Sequence, residues 1–245
     1  MISDSELELH IIYDLTGNET GDHAEMHGRC VYITDSPGKL RKALRNHVPT
    51  VYLETPENGP CREAKYVWCG EDLPDERYLL RVWQRYYHLP WTIAETERLV
   101  IRESVMEDLP AFERFYREER DNPDVGQWTE EPAVQLRKYI DGQYTLCEYG
   151  LWTVVKKDTG EVVGRAGIED LPGPEGGQEL SFLIGRACRR RGYAREACEA
   201  VLSYMQEEFP DARIGWRTSG SNEASRHLYG ILSCKYRLFG IKYKS

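Results

Sequence analysis

Hydrophobic and polar positions along the chain form two successive patterns. Up to about residue 95, short apolar runs alternate with stretches of helical spacing. The predicted strands are residues 7–14, 30–34, 51–54 and 64–68, and the predicted helices are residues 39–47 and 74–87. This alternation predicts a small parallel, Rossmann-like α/β module in residues 1–95.

After residue 95 the order of elements changes, which predicts a second domain in residues 96–245. The predicted strands are residues 99–102, 151–155, 161–168, 179–184 and 213–218, with closing strands between residues 235 and 243. The predicted helices are residues 107–119, 134–146 and 192–209, and one that begins after the N-cap Asn222. A hairpin turn at residues 157–160 joins two of the strands.

The most informative stretch is the basic loop at residues 186–195. Three arginines run into Gly192 and then into an amphipathic helix, directly after a strand-like segment. A helix start exposes unpaired backbone N–H groups and the positive end of its dipole, and glycine lets a ligand approach the backbone closely. The unit is therefore suited to a phosphate or a pyrophosphate.

Composition narrows the classes of function. Apolar residues make up 40% and charged residues 30% of the 245 residues, and the net charge is −9, which disfavours nucleic acid as the main partner. The longest apolar runs fall short of a membrane span, and the first residues lack the pattern of a signal peptide. Seven scattered cysteines favour neither a disulfide framework nor a zinc site, so we expect a cytoplasmic protein without a bound metal.

Residues 98–245 resemble the GCN5-related N-acetyltransferase (GNAT) family. The loop matches the acyl-CoA pattern as Arg189-x-x-Gly192-x-Ala194. The opening Arg-Leu-x-Ile-Arg strand, the hairpin and the later Asn-x-Ala-Ser-x-x-Leu-Tyr follow in the family's order. The resemblance implies a mixed, mostly antiparallel sheet with flanking helices, whereas residues 1–95 lie outside it.

What the resemblance implies is transfer of an acyl group, usually acetyl, from CoA to the primary amine of a small molecule or peptide by direct attack. In this sequence the implied cofactor-binding residues are Ile184, Arg186, Arg189, Arg190, Arg191, Gly192, Tyr193, Ala194 and Asn222. Backbone N–H groups from Arg190 to Ala194 are the expected pyrophosphate donors, with the Arg189 side chain adding charge-assisted contacts. Ile184 matches the position whose backbone pairs with the pantetheine arm.

A base and an acid complete the implied mechanism. Glu179 is the first candidate for the base, Glu169 the second and Asp170 a poorer third, although a bound water can take the same proton. Tyr229 occupies the position of the family's proton donor to the thiolate. Ser233 and Cys234 stand where Gly-Phe is usual, which weakens the geometric basis for Tyr229.

Several alternatives stay open at the level of sequence. Asp35 reads better as a turn residue than as a catalytic carboxylate, and we expect ordinary packing for Cys234 and incidental exposure for Cys188. The aromatic tract at residues 86–91 suits contact between modules or a homodimer. Trp128 and the loop at residues 170–177 are expected near the acceptor. A non-catalytic acyl-CoA sensor is the alternative function, and the acceptor is not specified by the sequence.

Overall fold

The structure is a computed structural model that describes residues 9–16, 29–171, 177–219 and 221–240. It divides into two compact units, residues 1–91 and 92–245, with a boundary four residues before the one predicted. Parts of the predicted segments at residues 7–14, 170–177 and 235–243 lie outside the described residues.

The first unit is a parallel sheet with a helix on each face. Its elements are β1 (His10–Asp14), β2 (Cys30–Thr34), α1 (Pro37–Arg45), β3 (Thr50–Leu53), β4 (Tyr66–Trp68) and α2 (Glu76–Tyr86). The described strands are parallel and lie in the order β1-β2-β3-β4. Val31 and Ile33 pack with Leu79 of α2, while Tyr32 packs with Ala43 of α1, so both faces are buried as a parallel sheet requires.

Asp35 lies in the turn before α1. Its carboxylate accepts hydrogen bonds from the backbone N–H and the hydroxyl of Thr16, both at 2.9 Å to Oδ1. The next residue, Ser36, is the N-cap of α1 and accepts from the Lys39 N–H. These contacts agree with the turn interpretation of Asp35.

The second unit is built on a seven-stranded mixed sheet. Its strands are β5 (Thr92–Glu95), β6 (Leu99–Arg102), β7 (Leu151–Lys156), β8 (Val162–Asp170), β9 (Gln178–Ile184), β10 (Ile214–Trp216) and β11 (Leu238–Gly240). Its helices are α3 (Leu109–Glu118), α4 (Pro132–Cys147), α5 (Tyr193–Glu208) and α6 (Glu223–Ser233). The strand order is β11-β10-β9-β8-β7-β6-β5, antiparallel from β5 to β9 and parallel from β9 to β11.

The helix after the basic loop is the core helix of this unit. Most positions that helical spacing marked as apolar in α5 are buried, namely Ala197, Cys198, Val201, Leu202 and Met205, whereas Ala194 is half-buried. Tyr204 of the same helix meets the fully buried Trp152 of β7 edge to face, with ring centroids 5.4 Å apart. The opposite face of the sheet is covered by α3 and α4, whose Phe112, Phe115 and Leu136 pack on Leu183 of β9.

The sheet splits between β9 and β10. The two strands pair only at their beginnings, where Gln178 faces Ile214 and Glu179 faces Gly215. From Leu180 to Ile184, β9 continues without a partner strand on that side within the described part of the chain. An unpaired strand edge offers main-chain N–H and C=O groups to an extended ligand.

Candidate active site

A cavity of about 1070 Å³ opens at the split between β9 and β10. One wall is the β9 segment from Leu180 to Ile184, and loop residues, including Arg190 and Gly192, form another part. A third part consists of aromatic residues: Tyr116 of α3, Trp128 of the α3–α4 connection and Tyr139 of α4. The cavity therefore joins a phosphate-type loop to an aromatic chamber along an open strand edge.

Backbone geometry makes the loop a concave array of donors. Arg190 and Gly192 both take positive φ, +59° and +83°, and α5 begins at the next residue, Tyr193. Among the described residues, the N–H groups from Arg190 to Ala194 have no hydrogen-bond acceptor within the protein. Successive free amides at a helix start bind anions, so the residues present fit a pyrophosphate.

The side chains of Arg186 and Arg189 contact other groups of the protein, whereas the motif implies that they contact the cofactor. Arg189 donates from Nε to the Ile184 carbonyl at 2.8 Å and pairs through Nη2 with Glu119 at 2.8 Å. Arg186 pairs with the same carboxylate at 2.8 Å. Burial would raise the pKa of Glu119, but Arg186, Asn122 and Arg189 together hold that pKa below its ordinary value. In this structure these two side chains fix the loop, of which Arg190 and Gly192 line the cavity.

Arg98 anchors the loop from the start of the unit. Its Nη1 donates to the Arg191 carbonyl at 2.9 Å, and its Nε donates to Glu196 at 2.7 Å. The guanidinium also lies 4.8 Å from the centre of the buried Tyr193 ring. A residue at the front of the Arg-Leu-x-Ile-Arg segment thus holds three points of the loop and of the first turn of α5.

Glu179 and Glu169 face each other at the closed end of the split. They form a cross-strand pair between β9 and β8, and both line the cavity. Glu179 is only 7% exposed, and its carboxylate pairs with Arg217 at 2.8 and 3.3 Å. Burial raises the pKa of Glu179 above its ordinary value; Arg217 acts against this shift, and the charge of Glu169 adds to it. A raised pKa suits a carboxylate that removes a proton near neutral pH.

The remaining predicted residues differ in whether they line the cavity. Ile184, Tyr193, Ala194 and Asn222 line the cavity. Asn222 is the N-cap of α6, accepting from the Ser225 N–H at 3.1 Å while its amide donates to Asp124 at 3.0 Å.

Tyr229 lies away from the cavity wall, which its neighbour Leu228 helps to form. Its ring packs on Trp216 at 5.8 Å, and its hydroxyl lies 3.8 Å from where a β-carbon would stand on Gly240. The hydroxyl therefore faces β11 in this structure.

The expectations for two cysteines were wrong. Cys188 is 6% exposed and burial raises its pKa, whereas Cys234 is exposed. Cys188 is the last residue of a 3-10 helix and is buried, and Cys234 is the C-cap of α6, so position along the chain did not reveal either environment. A thiol with a raised pKa is a poor nucleophile at neutral pH.

A family model described as "Acetyltransferase (GNAT) domain" matches residues 98–232, more than half of the chain. The chain belongs to the GNAT acetyltransferase family. GNAT enzymes use acetyl-CoA as the acetyl donor, and this is the chemistry that family membership gives to residues 98–232.

Similar proteins carry related descriptions. The uncharacterized N-acetyltransferase YjdG of Bacillus subtilis is 32% identical over 75 residues, which are 31% of this chain and 45% of YjdG. YoaA of the same organism, described in the same way, is 26% identical over 56% of this chain and 78% of its own. An acetyltransferase structure from Agrobacterium tumefaciens is 24% identical over 57% of this chain and 81% of that chain, with a TM-score of 0.47.

The aromatic residues of α3, α4 and their connection that line the cavity do not belong to the GNAT motifs. Sequence reasoning marked Trp128 but missed Tyr116, Tyr139 and Arg165, which also line it. A signal for Arg165 was present, because an arginine interrupts the otherwise apolar run from Val162 to Ile168.

In the described ranges, no group of histidine, cysteine or carboxylate side chains has the arrangement of a metal site. Nor does any helix described for this GNAT protein combine the length and apolar character needed to cross a bilayer.

Proposed function

We propose that the second unit acetylates a primary amine, with Glu179 as the general base. The observation that carries this proposal is the split in the sheet. Loop residues with free backbone amides and a buried carboxylate with a raised pKa line the same cavity, which supports the proposal. When bound, acetyl-CoA supplies the acetyl group as a thioester, so that an amide C–N bond forms while the C–S bond breaks.

The residues that would hold acetyl-CoA are those of the loop and of the open strand edge. N–H groups from Arg190 to Ala194 would bind the pyrophosphate, and β9 up to Ile184 would pair with the pantetheine arm. Arg98, Arg186 and Arg189 keep the loop in shape by their contacts with Glu196, Glu119 and backbone carbonyls.

Glu179 removes a proton from the attacking amine, which is largely protonated at neutral pH and must be neutral to react. Arg217 keeps the carboxylate oriented by its two contacts. The departing thiolate has a pKa near that of cysteine, about 8.5, so solvent can supply its proton. Tyr229 remains the donor that the family resemblance suggests, and its hydroxyl lies outside the cavity in this structure.

The deciding experiment is a screen for thiol release from acetyl-CoA across classes of amines, with the intact wild-type chain and Glu179→Gln. We expect turnover with at least one class and a loss of roughly 10²–10⁴-fold in the variant. Turnover unchanged in Glu179→Gln would remove Glu179 from the role of base. Binding of acetyl-CoA without turnover of any amine would favour the acyl-CoA sensor.

We also propose a reducing compartment, the cytoplasm, for the protein. All seven cysteines are free thiols, and three of them, Cys30, Cys61 and Cys198, are buried in cores that a disulfide would disturb.

A further inference from the structure

Arg165 is a charged side chain placed in the interior of the second unit. It stands in the middle of β8 and is only 6% exposed. Its guanidinium lies 4.6 Å from the ring centre of Phe112 and 5.3 Å from that of Tyr139. Arginine does not lose its proton in proteins, so the side chain remains a cation at this depth.

Neutral groups make all the described contacts of this cation. Nη1 donates to the Tyr116 hydroxyl at 3.0 Å, Nη2 donates to the Leu151 carbonyl at 3.3 Å, and the buried Nε has no acceptor. Within the described ranges, no carboxylate lies within ion-pair distance of Arg165. Arg102 is the contrast, because the same sheet gives it a two-point pair with the buried Asp108 at 2.7 and 2.8 Å. Buried charges are normally paired, so Arg165 lacks a counterion.

The cation borders the cavity, and other groups there lack partners as well. Trp128 Nε1 and Thr218 Oγ1 are buried without hydrogen bonds, and both residues line the same cavity as Arg165. Two of these three groups can only donate. A ligand with acceptor oxygens would match this wall, whereas a purely cationic or apolar ligand would not.

The sheet sets the spacing between the cation and the proposed base. Arg165 and Glu169 lie on the same face of β8, and Glu179 faces Glu169. The Nη2 contact with Leu151 brings the guanidinium to the level of Gly167, which pairs with Leu151. Two strand residues, about 7 Å, separate that level from the carboxylates. This distance exceeds the separation of amine and carboxylate in an α-amino acid.

We propose that Arg165 binds a carboxylate of the acceptor, which rests on the amine acetylation proposed above. The acceptor class is then an amino acid whose carboxylate is several bonds from the reacting amine, with the amine at Glu179 and the carboxylate at Arg165. A protein with net charge −9 does not attract acids by its overall field, so the recognition must be local.

Matched acceptors test the subsite. 4-Aminobutyrate and 4-aminobutyramide differ only in the distal group, a charged carboxylate in one and a neutral amide of similar shape in the other. Wild type should favour the acid about 10- to 100-fold in kcat/KM, the range for a charge-assisted hydrogen bond. Arg165→Met should bring that ratio close to one, and Arg165→Lys should keep part of it. Arg137→Met, an exposed arginine of α4, is the control and should keep the full ratio.

Binding without turnover gives a second readout. Calorimetry in the absence of acetyl-CoA should show 4-aminobutyrate binding more tightly than its amide to wild type, with the difference lost in Arg165→Met. If no amine is acetylated, the proposed function fails, and the calorimetric comparison still tests whether Arg165 binds a carboxylate. Equal kcat/KM and equal affinity for acid and amide in wild type would overturn the inference even if every Arg165 variant failed to fold.

Discussion

Arginines in the basic loop and in β8 have opposite environments. In the loop, Arg186 and Arg189 are exposed and share the carboxylate of Glu119. In β8, Arg165 is buried and has only neutral partners among the described residues. Arg186 and Arg189 have a carboxylate of the protein as their partner and fix the loop, while Arg165 has no such partner among the described residues. An arginine in a motif therefore does not by itself show that its side chain contacts a ligand anion.

The largest effect should come from the loop backbone. Gly192→Asp should remove measurable binding of acetyl-CoA, because the residue has φ +83°, its β-carbon would stand 3.2 Å from Arg98 Nη2, and the added charge opposes a pyrophosphate. Calorimetric titration with acetyl-CoA measures the loss.

Gly160 provides a matched control for that variant. It has φ +70° in the β7–β8 turn, with open space around it and no part in the cavity wall. Gly160→Asp should carry a similar backbone strain of about 1 kcal/mol and keep its affinity for acetyl-CoA. Equal losses in both variants would mean that strain, and not the anion site, explains the result.

The next largest effect should come from replacing the buried carboxylate of Glu179. Glu179→Gln should lower kcat by about 10²–10⁴-fold with unchanged affinity for acetyl-CoA, measured by steady-state kinetics and calorimetry. Glu169→Gln, across the strand pair, should cost much less, because Glu169 is exposed and acts mainly through its charge on Glu179. A larger loss of kcat in Glu169→Gln than in Glu179→Gln would make Glu169, and not Glu179, the base.

The pH dependence should follow the direction of the Glu179 shift. The base form exists above the pKa, so kcat/KM of wild type relative to Glu179→Gln should rise with pH through a value above the ordinary range of a glutamate. Arg217→Gln removes the cation that lowers this pKa and should move the rise to higher pH. A rise at or below pH 4.5, or a shift to lower pH in Arg217→Gln, would contradict the assignment.

A smaller effect is expected for the loop anchor. Arg98→Met should weaken acetyl-CoA binding by roughly tenfold, the loss expected when a charge-assisted hydrogen bond is removed, with kcat at saturating acetyl-CoA retained. Glu196→Gln should act through the same contacts, so the double variant should lose less than the sum of the two free-energy changes. Full additivity would show that the pair does not work as one anchor.

The smallest change should come from Tyr229→Phe. The hydroxyl lies beside Gly240 and outside the cavity wall, so kcat should fall by less than about tenfold, below the usual contribution of a general acid. A loss of about 100-fold or more would show that the hydroxyl reaches the reacting atoms and would support the role implied by the resemblance.

Local patterns in the sequence predicted the helices and strands of this protein better than they predicted its tertiary contacts. Helical spacing marked the buried face of α5, and Asn222 acts as the N-cap that its position predicted. By contrast, β5 was missed, because four residues without clear alternation become a strand only by pairing with β6. Fold and family could therefore be predicted from the order of elements and motifs.

The site could be predicted only in part. The loop glycine and the carboxylates are local features, and both line the cavity. The direction of a long side chain depends on distant partners: Glu119 determines it for Arg189, and Trp216 and β11 surround Tyr229. Such contacts join residues far apart in sequence, which periodicity and motif spacing do not register.

The edge strand β5 has a practical consequence for separating the two units. Ile93 is 8% exposed, and β5 covers the hydrogen-bonding edge of β6, beneath which Leu99 and Ile101 are fully buried. Cutting the chain at residue 96 would remove this cover and present β6 as a bare edge that invites intermolecular pairing and aggregation. An isolated acetyltransferase unit should therefore start at Thr92 or earlier.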